Sequence, residues 1–353
     1  MILADLQLTQ VLRAVGAGRG PLPPAPPSGR YAVPGLDGAA PVVRRLARRA
    51  GHPDQVADRL VDALSTLRPW ERAHVLDPLR RAVPAPPAPG APGDGSPAPG
   101  PDARFGEPLV LGSARAVQVD GTTCGSAVLA VLAAAGDPVV GLWLVAGADV
   151  SRGASAHVVT EGEVDATARE LETSSGRFAA LQRLLQARTT HAALGPLPWP
   201  TGLGTPPWTA ARDARYADVR YTHRIVAGEG TTDRVLASAL RSAAAGVPVP
   251  LYTGGDVGTG WSTAVPRHVV LLAGVSGPQE PRTDAAAPFG GRSCSVYEPS
   301  SGTLHRLRVA DLLAGVGEDG EPGRGVRRAL GGWSHVTWAV VPAGRAGGSR
   351  RVG

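Results

Sequence analysis

Between Val83 and Pro101 the chain carries eight Pro and four Gly in nineteen residues, beginning Val83-Pro84-Ala85-Pro86-Pro87-Ala88-Pro89-Gly90. Pro fixes φ and has no N–H to donate, and Ala and Gly offer little surface to bury. The stretch therefore reads as an extended linker that does not pack. It divides the chain into a small helical N-terminal region (1–82), the linker (83–101), a main domain (102–342) and a basic flexible tail (343–353). A length of 353 residues suits one large domain with a smaller one attached.

The two sides of the linker are patterned differently. Residues 5–16 read as a short amphipathic helix, with Leu6, Leu8, Val11, Leu12 and Val15 on one face, and 18–38 as irregular. Residues 39–82 read as two or three helices. Pro53-Asp54 starts one that carries Val56, Leu60, Ala63, Leu64 and Leu67 at helical spacing, and Arg68-Pro69-Trp70 ends it. Beyond the linker, a helical run goes from Cys124 to Ala135 and stops at Gly136-Asp137-Pro138. Helices are expected over 161–190 and 232–245, the latter capped by Thr232 or Asp233. Residues 192–210 form a Pro/Trp loop. Strand signals then gather at Val247–Tyr252, His268–Val275, Cys294–Glu298, Thr303–Leu307 and His335–Val341, with a helical turn or two at 309–314. Helices first and strands later predict an α+β domain, not an alternating parallel one.

Composition removes several chemistries. The chain has neither Lys nor Asn, so all 36 basic residues are Arg. That excludes a Lys nucleophile, a Schiff base, a Walker-type phosphate loop and a catalytic Asn. Two cysteines make neither a disulfide framework nor a structural zinc site, although one Cys124–Cys294 bridge stays open. No His/Cys cluster has zinc spacing and no acidic run has calcium-loop spacing, so no metal or organic cofactor is implied. Gly254-Gly255-Asp256-Val257-Gly258-Thr259-Gly260 lacks the context of a nucleotide fingerprint and reads as a mobile loop before His268. The apolar runs Val139–Ala148 and Val269–Val275 are too short to span a membrane. Met1-Ile2-Leu3-Ala4-Asp5 has no basic start, so no signal peptide is expected and the cytoplasm is the expected compartment.

The formal charge of +6 is unevenly spread. Residues 1–101 hold 12 Arg and 8 acids, and residues 102–340 hold 21 Arg and 22 acids. Arg44-Arg45-Leu46-Ala47-Arg48-Arg49 would set Arg pairs along a helix. A short patch without interleaved aromatics reads as a solvated face, and nucleic acid is not an expected partner. The N-terminal helical region would instead serve a protein partner.

Chemistry concentrates in Gln118-Val119-Asp120-Gly121-Thr122-Thr123-Cys124-Gly125-Ser126-Ala127. Turn residues lead directly into a helix that Cys124 opens. A thiol there meets unpaired N–H groups and the positive end of the helix dipole, which favour the nucleophilic thiolate. Gly125 and Ser126 would leave space for a substrate backbone. The Cys124 N–H and the Gln118 side-chain amide would be oxyanion donors. The base must be a histidine. His52 and His74 belong to the N-terminal region, His191 and His223 flank the Trp-rich stretch, and His305 sits in a strand. His157 and His335 precede apolar runs and compete. His268 is the best placed, at a junction between a loop and a strand. Without Asn, the orienter must be a carboxylate. Glu298, at the end of a strand, would accept the His268 Nδ1–H and turn the other nitrogen toward Cys124. Cys294 reads as a core thiol, and Trp333 and Trp338 as core or sheet-edge packing. Trp199 and Trp208 would either wall a substrate groove or pin their loop.

Three segments in order resemble the papain-like cysteine peptidases, closest to the branch that includes the bacteriocin-leader-processing (double-glycine) peptidases. They are Gln118-x5-Cys124-Gly125-Ser126-Ala127, Arg267-His268-Val269-Val270-Leu271-Leu272-Ala273-Gly274, and Tyr297-Glu298-Pro299-Ser300-Ser301-Gly302. The resemblance covers roughly 105–342. It implies a papain-like fold, with a helical subdomain carrying the nucleophile helix packed on an antiparallel sheet. It also implies Cys124 as nucleophile, His268 as base, Glu298 as orienter and Gln118 as oxyanion donor, acting on a peptide or protein amide. Loops 195–210 and 254–266 would wall the groove. The sequence departs from the family in having Glu for the usual Asp or Asn, in lacking the aromatic that often follows the nucleophile motif, and in the unmatched insertion 151–230. The same constellation would serve an acyltransferase, transglutaminase or deamidase, and the scaffold without its chemistry would be a binding module.

Overall fold

The structure is a computed structural model that describes residues 20–82 (without 28, 33 and 34), 106–151, 166–226, 233–254, 268–277, 289, 291–315 and 321–345. The helix expected over 5–16, the linker 83–101 and the loop 255–267 lie outside the described residues.

Three helices open the described chain: α1 (Ala40–Arg49), α2 (Asp54–Thr66) and α3 (Pro69–Leu76). Pro53 precedes α2 in extended conformation. Pro69 starts α3, where the Glu71 carboxylate accepts the Arg68 N–H at 2.9 Å and satisfies a first-turn donor. These helices do not stand apart as a unit with its own core. Val43, Leu46, Val56, Leu60, Leu64 and Val75 are buried in one apolar cluster with Val128 and Leu132 of the helix that Cys124 opens. Fully buried leucines such as Leu60 and Leu64 contribute about 2 kcal/mol each. Part of the expected basic face is also paired. Arg44 and Arg48 bond Asp58 and Asp54 of α2 at 2.7 and 2.5 Å, and Arg49 lies over the Tyr31 ring.

After the short strands β1 (Gly106–Pro108), β2 (Val110–Leu111) and β3 (Ala114–Arg115) come α4 (Cys124–Gly136) and α5 (Pro138–Ala146). Asp137 separates them, accepting the Val139 N–H at 2.9 Å, and Gly147 ends α5 in the left-handed region. His52 Nε2 bonds the same Asp137 carboxylate at 2.9 Å and ties the α1–α2 turn to this corner. The α4–α5 pair is largely apolar but bent by 113° and buried. Among the described residues, no single helix is long and apolar enough to cross a membrane.

The segment expected to be helical over 161–190 contains α6 (Ala168–Leu171) and α7 (Ser174–Thr190), and α7 packs along α4. Next come α8 (Pro207–Asp213), β4 (Val219–Ile225), α9 (Arg234–Ala244), β5 (Val249–Gly254), β6 (His268–Ser276), β7 (Ser293–Glu298), β8 (Thr303–Arg308), α10 (Val309–Ala314), α11 (Glu321–Ala329) and β9 (His335–Arg345). Asp233 caps α9 by accepting the N–H groups of Val235 and Leu236. The molecule is α+β. Its seven-stranded sheet runs β1-β8-β7-β6-β5-β9-β4 with every neighbouring pair antiparallel. β9 pairs with β4 as far as Arg345, so ordered structure enters the segment expected to be a flexible tail.

The sheet is covered on both faces, as the alternation along β6 records. Val269, Leu271 and Ala273 join the cluster that holds α4, α5 and α7, while Val270 and Leu272 join Leu236, Leu240, Leu312 and Val326 of α9, α10 and α11. Antiparallel pairing gathers the end of β5, the start of β6, the end of β7 and the start of β9 at one end of the sheet.

Candidate active site

Cys124 opens α4 at that end of the sheet. The preceding turn is held by Asp120, whose carboxylate accepts the N–H and hydroxyl of Thr122, both at 2.7 Å. The Thr122 hydroxyl contributes most to keeping the Asp120 carboxyl below its usual range. From behind, α7 fixes the same turn. Gln182 accepts the Val119 N–H at 3.0 Å and donates to the Val117 carbonyl at 3.2 Å, and Gln186 donates to Thr122 Oγ1 at 2.9 Å. The thiol is thus presented by a braced helix start, and Cys124 is 4% exposed.

His268 begins β6 and Glu298 ends the neighbouring β7, so the two side chains meet across one strand pair. His268 Nε2 and Glu298 Oε1 are 2.8 Å apart. The turn after Glu298 supplies two further donors, Ser300 N to Oε1 at 2.7 Å and Ser301 N to Oε2 at 2.8 Å. Burial works against a charged Glu298, but bonds from His268 and the turn outweigh it and lower the carboxyl to about 2. Burial likewise opposes a protonated His268. Hydrogen bonds and charge interactions with Cys124 and Glu298 prevail and raise the imidazole to about 9.

Cys124, His268 and Glu298, drawn from three distant stretches of sequence, therefore come together. The ring faces the other way from the expectation: Glu298 holds Nε2, not Nδ1, which leaves Nδ1 for the Cys124 side. The one-methylene extension of Glu is taken up by the Pro299–Gly302 turn, which folds back to grip both carboxylate oxygens. Gly302 sits at φ +60°, and a Cβ there would come within 2.8 Å of the Ala116 carbonyl.

Gln118 lies beside this turn. Its N–H donates to the Pro299 carbonyl at 2.9 Å, and its Oε1 accepts from Ser300 Oγ at 3.2 Å. The side-chain amide expected to serve as oxyanion donor instead donates to the Asp120 carbonyl at 2.6 Å, the acceptor two residues along its own loop. The space expected at Gly125 and Ser126 is also filled. A Cβ on Gly125 would lie 2.6 Å from Thr205 Cβ and 2.7 Å from Thr205 Oγ1, and Ser126 is fully buried. Gly125 makes room for the insertion, not for a substrate backbone.

Trp199 and Trp208 pack edge to face at 5.4 Å. The Trp208 indole N–H donates to the Ala193 carbonyl at 2.8 Å, and the Trp199 backbone N–H to Thr190 at the end of α7, also at 2.8 Å. They brace the loop that delivers Thr205 to Gly125.

Three contributors escaped the sequence reading. Tyr252 donates its hydroxyl to the Thr205 carbonyl at 2.9 Å, and its phenol is pushed well above its ordinary value by burial and then by Cys124. Thr205 belongs to the insertion that matched no motif. Gly331, at φ +69°, covers the imidazole, and a Cβ there would overlap His268 Cδ2 and Nε2. The adjacent Leu330 carbonyl accepts from Thr253 Oγ1 at 3.0 Å, which holds the turn down. The Gly331-Gly332 doublet was the one visible hint.

Of the competing histidines, His335 opens β9 in register with Gly254, and His157 lies outside the described residues. Trp338 donates to His223 Nδ1 at 3.3 Å near the β4 edge. Both cysteines are free. Cys294 sits in the cluster on the other face of the sheet from α4, so the bridge left open by the sequence is not made. Among the described residues, no three of His, Cys, Asp or Glu are grouped to hold a metal ion. Comparison with protein-family models, curated proteins and solved structures finds no match.

Proposed function

We propose that the protein is a cysteine-dependent amide hydrolase of papain-like type, most simply a peptidase. The observation that carries this reading is the His268 imidazole, held by Glu298 at 2.8 Å and meeting the thiol at the start of a helix. A buried, carboxylate-held imidazole beside a helix-N-terminal cysteine is what nucleophilic acyl transfer requires.

In this reading the Cys124 proton resides on His268. The sulfur attacks a substrate amide carbon, forming the C–S bond, and the charge moves to the carbonyl oxygen. The Cys124 N–H faces that oxygen at the helix start. His268 then gives its proton to the leaving nitrogen as the C–N bond breaks. Neutral His268 takes a proton from water, which attacks the thioester and frees Cys124. Glu298 stays ionised throughout, and its grip on Nε2 keeps the other ring nitrogen toward the sulfur.

The test is iodoacetamide alkylation of Cys124 across pH, read by mass spectrometry in a Cys294→Ala background. Fast alkylation that persists well below the usual thiol range and is lost in His268→Ala supports the pair. Slow alkylation with an ordinary thiol titration, unchanged by His268→Ala, sinks it.

A further inference from the structure

Large apolar side chains left in water are unevenly placed. Among the described residues seven are exposed. One is Trp70 on α3, and the other six are Val117, Val119, Leu194, Leu197, Leu203 and Trp208. Those six belong to just two segments, the approach to Cys124 and the stretch from the loop after α7 into the first turn of α8. The segments adjoin. Gly204 stands over the Thr122 carbonyl, Thr205 packs on Gly125, and α7 holds both from beneath through Gln182, Gln186 and the Thr190 carbonyl. Leu203 and Leu197 are 60% and 63% exposed, so water covers them in the free protein.

The loop side of this wall, beyond α7, carries no charge, and on the approach to Cys124 Asp120 turns its carboxylate onto Thr122. From Ala192 to Ala211 there is no Asp, Glu, Lys or Arg, in a chain that is 19% charged and would ordinarily place several in twenty residues. Arg188 and Arg212 close the segment at either side. An exposed apolar patch continuous with a reactive group marks where a ligand loses water. An acidic or basic side chain laid against that loop would lose hydration with no charge on the loop to pair it.

We infer that this wall selects the substrate: the site takes an amide flanked by uncharged, apolar side chains, which lie against Leu203, Leu197 and Val119. The inference rests on the hydrolase reading above and adds its substrate class.

Two affinity probes test it: a leucyl-leucyl-glycyl chloromethyl ketone and its aspartyl-aspartyl-glycyl counterpart. In each, the Cys124 sulfur bonds the methylene carbon and chloride leaves. Rates are normalised to each probe's reaction with glutathione. The apolar probe should label Cys124 about tenfold faster or more, the scale of burying one or two aliphatic side chains. Leu203→Asp should bring that ratio toward one, with Leu197→Asp as a second exposed variant, while Trp70→Ala should leave the preference intact.

A wild-type ratio near one, with iodoacetamide alkylation still dependent on His268, overturns the substrate class and leaves the hydrolase standing. Equal preference in wild type and both Asp variants overturns the wall as its source. Iodoacetamide alkylation independent of His268 overturns the hydrolase reading, and the inference falls with it.

Discussion

Cys124 and Cys294 are both buried, at 4% and 1% exposure, yet they occupy opposite chemical settings. Cys294 lies in β7 on the face packed by α9, α10 and α11, and burial pushes its thiol up to about 12. Cys124 lies at a helix start beside an imidazole that Glu298 helps keep protonated up to about 9. Burial alone silences a thiol. Cys124 is set instead against an imidazole that its own side chain and Glu298 hold protonated, the setting on which the proposed chemistry rests.

The largest blow to this contrast is His268→Ala. Without the imidazole, Cys124 resembles Cys294 with a helix dipole added. Its iodoacetamide rate near pH 6.5 should fall about 100-fold, whereas restoring a histidine should recover it. A variant that alkylates as fast as wild type would mean that the helix start activates the thiol unaided.

Glu298→Gln attacks the pair from its other end and should appear in stability as a function of pH. Glu298 is lowered to about 2, so its contribution is present above the ordinary glutamate value of about 4.3 and is lost as pH falls through about 2. His268 is raised to about 9, so its contribution is complete below about 6.5 and is lost as pH rises through about 9. Wild type should exceed the variant by about 3 kcal/mol near pH 5 to 6 in urea unfolding. The gap should shrink toward both extremes. A gap constant across pH would mean that the amide had only altered packing.

The members of this pair were legible in the sequence because each sits at an element boundary that local chemistry marks. Turn residues precede Cys124, a buried strand follows His268, and Pro299 follows Glu298. The strands at 268, 294 and 303 were equally plain, the first as a short unbroken apolar run and the others as short strand-forming segments bounded by turn residues. Other parts resisted for physical reasons. β4 carries Arg220, His223 and Arg224 at a sheet edge, which blurs its alternation. α11, with Pro322, Gly323 and Gly325, is built of poor helix formers and gave no helix signal, and packing against β7 and β8 overrides propensity. The ring orientation of His268, the use of Gly125 by Thr205 and the engagement of the Gln118 amide are tertiary facts with no local signature. The docking of α1–α3 into the common core is tertiary in the same way, because a Pro-rich linker shows that a segment does not pack but says nothing of what its flanks touch.

Gly331→Ala should have a smaller effect than either charge change, and it sharpens the comparison by leaving every titrating group in place. The added methyl meets the imidazole, and a non-Gly residue at φ +69° is strained. Stability should drop by about 1–3 kcal/mol and Cys124 alkylation by about tenfold, as the ring leaves the line between sulfur and carboxylate. Unchanged alkylation with reduced stability would show that the pair tolerates a displaced ring.

The smallest effect belongs to Cys294→Ala, the control on which the whole contrast leans. The residue packs among Val296, Val309 and Leu312, and alanine keeps most of that contact while removing one sulfur. The loss should be about 1 kcal/mol in urea unfolding, with the Cys124 alkylation rate and its pH profile unchanged. The seven-stranded sheet separates the two thiols, and neither His268 nor Glu298 contributes to the raised value of Cys294. Additivity with His268→Ala in the double variant would follow from that independence. A coupling of more than about 0.5 kcal/mol would mean that the sheet transmits packing between its faces, and Cys294 would then belong to the scaffold that positions the pair.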